Sequence, residues 1–147
     1  FNYPVSSNLL KTVPALLMGN AVLVKPSSEA PLANILLVQQ MLDAGVPADV
    51  IQIITGPGEQ IGRQLASDTR IALISLTGST KTGIEISRYS AGNLKRVLLE
   101  LGGNDPLLLL EDVDMDYAVQ EAISGRFGNA GQVCCASKRF AFLVTMQ

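Results

Sequence analysis

Three features of this chain carry chemistry that asks for an explanation: a carboxylate inside an apolar run, two adjacent cysteines behind a glycine-rich turn, and a lysine followed by two serines. Glu100 sits in Leu99-Glu100-Leu101-Gly102-Gly103, where burial would disfavour its charged form and raise its pKa. It is a general-base candidate or, with equal claim, a side chain turned to solvent at a sheet edge. Cys134 and Cys135 close the segment Gly128-Asn129-Ala130-Gly131-Gln132-Val133-Cys134-Cys135. Free cysteines are most often small buried hydrophobes, whereas one presented by a glycine turn is a candidate nucleophile. Val24-Lys25-Pro26-Ser27-Ser28-Glu29 offers a cation and hydroxyls suited to a ribose or a phosphate; a solvated lysine and an ordinary serine cap are the plainer alternative.

Two glycine-bearing loops could support such a ligand. Thr77-Gly78-Ser79-Thr80-Lys81-Thr82-Gly83 opens a helix whose free N–H groups could hold a pyrophosphate, and it lacks the Gly-Lys-Ser/Thr ending of an ATP-hydrolysing loop. Gly56-Pro57-Gly58-Glu59-Gln60-Ile61-Gly62 is one residue off the dinucleotide fingerprint, and a plain turn entering a helix explains it equally well.

Composition removes many other chemistries. The 147 residues contain no histidine, which excludes Ser-His-Asp and Cys-His catalysis, His-ligated zinc and imidazole pH switching together. A base must then be a carboxylate, a lysine or water. Eleven Lys and Arg against 13 Asp and Glu, net charge −2, give no electrostatic footprint for nucleic acid or an anionic membrane. The only two cysteines are adjacent and cannot form a disulfide framework or a Cys-rich metal site, so no metal is expected and a reducing, cytoplasmic setting fits. No apolar run approaches the roughly 20 residues of a membrane span. A start at Phe1 and a stop at Gln147 inside an apolar run suggest a piece cut from a longer protein.

The elements that must position these residues follow from the hydrophobic pattern. Short Val/Ile/Leu runs predict strands near Ala21 to Val24, Val50 to Ile54, Ile71 to Ser75, Val97 to Leu101 and Leu107 to Leu110, apolar on both faces like buried parallel strands. Helices are predicted over Pro31 to Ala44, stopped by Gly45 and Pro47, over Glu59 to Ala66 and over Thr80 to Tyr89. Asp114 to Phe127 predicts an amphipathic helix capped by Asp114, with Met115, Ala118, Val119, Ala122, Ile123 and Phe127 on its apolar face. Strand and helix in alternation define an α/β fold, an open parallel sheet with helices on both faces, whose ligands gather at the carboxyl ends of the strands.

Phe1-Asn2-Tyr3-Pro4, Val24-Lys25-Pro26-Ser27, Leu76-Thr77-Gly78-Ser79-Thr80, Leu99-Glu100-Leu101-Gly102-Gly103 and Gly131-Gln132-Val133-Cys134 resemble, in order and spacing, the signature blocks of the aldehyde dehydrogenase superfamily. The resemblance runs through nearly the whole chain. It implies a Rossmann-like cofactor-binding domain and NAD(P)-dependent oxidation of an aldehyde to a carboxylic acid through a cysteine thiohemiacetal and thioester. By that resemblance Cys134 is the nucleophile, Glu100 the general base, Asn2 an oxyanion-stabilising amide and Lys11 a supporting lysine. Lys25, Ser28, Gly78, Ser79 and Leu101 fall at cofactor-contacting positions. Residues 1–100 would supply most of the nucleotide-binding domain, and 101–147 the start of a catalytic domain whose remainder is absent.

Some positions depart from the family's commoner wording. Leu76 stands for Phe, and Asn104-Asp105 replace a lysine-containing version. Ser28 stands where NAD-preferring members often have Glu, which leaves room for a 2′-phosphate and favours NADP over NAD, with Glu29 next to it as a competing carboxylate. The wording is most similar to the succinate-semialdehyde dehydrogenase branch, and the parent protein is expected to be a homo-oligomer. Two rival readings remain: a cofactor-binding fragment without activity of its own, and an acylating relative that passes its thioester to coenzyme A.

Overall fold

The computed structural model describes residues 1–143. Among the described residues six strands and three of the five α-helices form three consecutive strand–helix–strand units. The first runs through β1 (Val22–Val24), α2 (Leu32–Asp43) and β2 (Ile51–Ile53), the second through β3 (Leu73–Thr77), α4 (Thr80–Ala91) and β4 (Arg96–Glu100), and the third through β5 (Asp105–Leu109), α5 (Met115–Phe127) and β6 (Ser137–Phe142). Helix α1 (Pro4–Leu17) precedes them, and α3 (Gly58–Ser67) joins the first to the second. Each unit closes a parallel pair, β1 with β2, β3 with β4 and β5 with β6. A parallel pair requires a long crossover, and the helices supply it. The α/β class with parallel strands is thus the observed one, its ladders formed pairwise among the described residues.

Two compact units divide the chain: one holds Phe1, Tyr3–Thr77 and Lys81–Glu100, the other Asn2, Gly78–Thr80 and residues 101–147. In the first, Val24, Val38 and Ile51 are buried together, with Leu16, Val22, Met41, Leu42, Val46 and Ile53 packed around them. The α1–α2 seam is polar: Asn8 and Thr12 are buried, Asn8 Nδ2 donates to Asn34 Oδ1 at 2.7 Å, and Thr12 Oγ1 donates to the Asn8 carbonyl at 2.9 Å. Helix α3 meets α4 where Gly62 faces Ile86 and the Arg63 guanidinium lies over the Tyr89 ring, 5.4 Å from its centroid. Buried Lys95 finishes α3 by donating to the Leu65 and Asp68 carbonyls, each at 2.8 Å, orphan acceptors at a helix end.

Several sequence expectations shift. Strand β3 lies two residues later than its apolar run and β4 one residue earlier, because the ladder register pairs Leu73 with Arg96 through to Thr77 with Glu100. Neither strand is buried on both faces; exposed and half-buried residues alternate along each. Helix α1 was not legible, since its inward face carries Asn8 and Thr12 while Leu10, Leu17 and Met18 are exposed, and Pro14 lies inside it. Strand β6 was not foreseen either. Asp114 caps α5 as expected, accepting from the Tyr117 N–H at 2.9 Å. The face that α5 buries differs: Ala118 is 2% exposed, whereas Met115, Val119, Ile123 and Phe127 are all exposed. Gly125, seven residues on from Ala118, has the Ser137 Oγ where a Cβ would come within 2.9 Å. The helix thus approaches β6 closely at Gly125, buries Ala118 and leaves its large apolar residues exposed.

Candidate active site

In the first unit the loops after β1 and β2 converge. Ser28 Oγ donates to the Gly56 carbonyl at 2.9 Å, joining the Lys25–Ser28 loop to the glycine turn that enters α3. Lys25 Nζ donates to the Pro26 carbonyl at 2.7 Å and stands 3.7 Å from where a Cβ on Gly58 would be. Burial lowers the Lys25 pKa. Gly56 needs its glycine, because its φ of +144° is one that L residues rarely adopt and a Cβ there would lie 2.6 Å from Ile61 Cδ1. A partly buried ammonium, a hydroxyl and a bare glycine backbone at two strand ends form a donor set that fits the phosphate and ribose of a dinucleotide.

Lys11 and Glu100 are the other two candidates in this unit. The Lys11 ammonium is buried on α1 without a hydrogen-bond partner, and its pKa is lowered by desolvation, which the negative charge of Glu100 partly offsets. Glu100 ends β4 and is exposed. Of the two sequence alternatives the structure shows the solvent-facing one: the alternation along β4 puts Glu100 on its outer row, available to water.

In the second unit the segment around Cys134 is tied down from several sides. Both cysteines are free and exposed, so neither is the buried hydrophobe that free cysteines usually are. Asn2, 130 positions away, donates its side-chain N–H to the Gln132 carbonyl at 2.6 Å, and Asn129 Nδ2 donates to the Asn2 carbonyl at 3.2 Å. One further N–H remains on the Asn2 carboxamide. The turn before Cys134 runs through three successive left-handed residues, Asn129 (φ 50°), Ala130 (φ 57°) and Gly131 (φ 75°). Gly103 comes so close that a Cβ on it would lie 2.5 Å from the Cys134 carbonyl oxygen. Gly78 and Ser79 are exposed in the loop leading to α4, and Leu101 is half-buried directly after β4.

The structure thus joins Asn2 to Gln132, two residues before Cys134, and Ser28 to Gly56. Sequence reasoning missed Lys138, whose ammonium donates to the carbonyls of Gly103, Cys134 and Val133 at 2.8, 2.9 and 3.3 Å. It also missed the anchoring role of Asn129. Lys138 lies beyond the motif on a strand that the pattern did not reveal, and nothing in its local sequence marks it as reaching back. No group of three or more Cys, Asp or Glu able to hold a metal exists among the described residues. Nor is any helix among them long and apolar enough to cross a membrane.

Residues 1–145 match the Aldehyde dehydrogenase family, and the chain belongs to that family. It is 42% identical over 139 residues to betaine aldehyde dehydrogenase of Bacillus subtilis (strain 168), covering 95% of this chain and 28% of that protein. It is 37% identical over 139 residues to succinate-semialdehyde dehydrogenase [NADP(+)] of Escherichia coli (strain K12), covering 95% of this chain and 29% of that one. Among solved structures, an aldehyde dehydrogenase of Pseudomonas syringae, complexed with NAD+ and octanal, superposes with a TM-score of 0.93 at 36% identity over 96% of this chain and 29% of its own. The chain therefore spans under a third of the length of the relatives it matches.

Proposed function

We propose that this chain contributes the nucleophile, the oxyanion donors, the general base and part of the cofactor site to an NAD(P)-dependent oxidation of an aldehyde to a carboxylic acid. Residues 1–100 would form most of the nucleotide-binding domain, and 101–147 the start of the catalytic domain. The observation that carries the reading is the tie between Asn2 and the Gln132 carbonyl at 2.6 Å, which joins two distant family blocks beside an exposed cysteine.

In this reading the Cys134 thiolate adds to the aldehyde carbonyl carbon, forming the C–S bond and moving the π pair onto oxygen. The remaining Asn2 N–H and the Cys134 backbone N–H hold that oxyanion, the kind of preorganised donor pair that lowers acyl-transfer barriers. A bound nicotinamide dinucleotide supplies the hydride acceptor. The thioester left on Cys134 is attacked by water, whose proton Glu100 takes; an exposed carboxylate can exchange that proton with solvent and needs no histidine. Lys11 supports the site through its charge interaction with Glu100. Lys25, Ser28, Gly78, Ser79 and Leu101 would hold the dinucleotide.

Ser28 favours NADP, since it brings no carboxylate against a 2′-phosphate. The ratio of kcat/KM for the two cofactors in the full-length protein tests this: we expect NADP to be preferred, and a strong NAD preference would overturn it. The succinate-semialdehyde branch is our substrate assignment, supported by the E. coli relative and by the wording of the blocks. A panel of succinate semialdehyde, betaine aldehyde and an aliphatic aldehyde ranks it, and a higher kcat/KM for either of the latter would replace it. A cytoplasmic homo-oligomer is the expected setting. The reading as a whole is tested by alkylation of the native protein with a small haloacetamide at neutral pH. Cys134 should react at least about tenfold faster than Cys135, because an unactivated thiol with pKa about 8.5 reacts slowly there. Equal rates, or reaction at Cys135 alone, would remove Cys134 as the nucleophile.

A further inference from the structure

We propose that Lys138 is a positioning residue that sets the direction of the Cys134 backbone N–H. The inference rests on the reading of Cys134 as the nucleophile. The ammonium of Lys138 has three N–H donors, and the second unit offers it three acceptors: the carbonyls of Gly103 (2.8 Å), Cys134 (2.9 Å) and Val133 (3.3 Å). The Val133 carbonyl belongs to the same peptide plane as the Cys134 N–H. In a trans peptide the two point in opposite directions, so holding the carbonyl toward Lys138 turns the N–H away from it. The Cys134 carbonyl fixes the next plane, and the Gly103 carbonyl anchors the ammonium to the segment between β4 and β5.

The surrounding backbone gives this clamp a reason. Asn129, Ala130 and Gly131 all have positive φ, a conformation that costs non-glycine residues free energy and persists only when neighbouring structure holds it. Directly after that turn the Val133 carbonyl accepts one backbone bond, from the Ala136 N–H at 3.2 Å, and Lys138 adds the second. Gly103 lets the two segments approach closely enough for one ammonium to bridge them, since a Cβ there would lie 2.5 Å from the Cys134 carbonyl oxygen.

The test uses the full-length protein with Lys138→Met, Lys138→Gln and Cys134→Ala. Two rates are compared: the first-turnover appearance of reduced cofactor at saturating aldehyde, which needs the oxyanion donor, and the plateau rate of Cys134 alkylation by iodoacetamide at high pH, which needs only an exposed thiolate. For Lys138→Met we expect the first to fall about tenfold or more, within the range seen when an oxyanion donor is lost or misaimed. The second should stay within about threefold, and Lys138→Gln, which keeps two N–H donors, should fall between. An unchanged first turnover overturns the proposal. An equal fall in both rates overturns it too, because the lysine would then maintain the loop rather than aim one amide. If Lys138→Met does not fold, Lys138→Gln decides by the same comparison. A first turnover that survives in Cys134→Ala would instead bring down the nucleophile reading itself.

Discussion

Asn2 and Lys11 show how individual side chains can be assigned consequences. Asn2 reaches the Gln132 carbonyl with one N–H and has a second to offer an oxyanion. Losing one such donor typically costs about 2.7 to 4 kcal/mol of barrier, so on the proposed chemistry Asn2→Ala in the full-length protein should lower kcat by roughly 10²-fold or more; an unchanged kcat would take Asn2 out of that chemistry. Lys11 makes a prediction about pH. Its folded pKa lies below its ordinary value of 10.5 because burial disfavours the charged form. Below the folded pKa the ammonium is charged in both states and its desolvation is a constant cost. Between the folded and unfolded values the unfolded chain binds more protons, so stability rises with pH and the cost is relieved. Lys11→Met should therefore melt at least as high as wild type at pH 7.5, and its advantage should shrink by pH 10. A Lys11→Met melting temperature that gains on wild type as pH rises would contradict the assignment.

Helix caps and close approaches belong to the scale of elements. Asp114 satisfies the Tyr117 N–H at the start of α5, and Asp114→Ala should cost about 1 kcal/mol, read as a lower urea midpoint at unchanged slope. Gly102 and Gly103 are neighbours with opposite surroundings. A Cβ on Gly102 meets nothing within 4 Å, whereas one on Gly103 would press on the Cys134 carbonyl oxygen at 2.5 Å and Asp105 Oδ1 at 3.0 Å. Gly103→Ala should thus destabilise by about 1 to 3 kcal/mol, as overpacking does, while Gly102→Ala stays close to neutral by the same urea titration. Equal effects at the two positions would show that the approach of Gly103 to the cysteine segment is not maintained in solution.

For the molecule as a whole the telling feature is how much apolar surface it leaves in water. Leu10, Leu17, Met18 and Leu94 in one unit, and Leu108, Phe127 and Phe142 in the other, are all exposed. Apolar surface on this scale usually meets a protein partner or drives association. The isolated chain of 147 residues is accordingly expected to self-associate, with a light-scattering mass above its 15.6 kDa. A monodisperse species at 15.6 kDa would mean that these side chains are covered in solution.

Much of this was legible in the sequence because it depends on local order and spacing. The alternation of β-branched runs with helical periods fixed the α/β class, the Gly45 stop and the Asp114 cap marked helix ends, and the spaced blocks around Asn2, Glu100 and Cys134 marked the family. What tertiary structure alone decided concerns which face of an element is covered. The apolar stripe of α5 predicted burial of Met115, Val119 and Ile123, yet the buried residue is Ala118, and the close approach to β6 comes at Gly125, where a side chain would collide with Ser137. Glu100 was poised between burial and an edge, and the β3–β4 register put it outside. Asn2 meeting Gln132 and Lys138 meeting Gly103 join positions far apart in the chain, a pairing that periodicity and motif cannot encode because it exists only once the chain has folded.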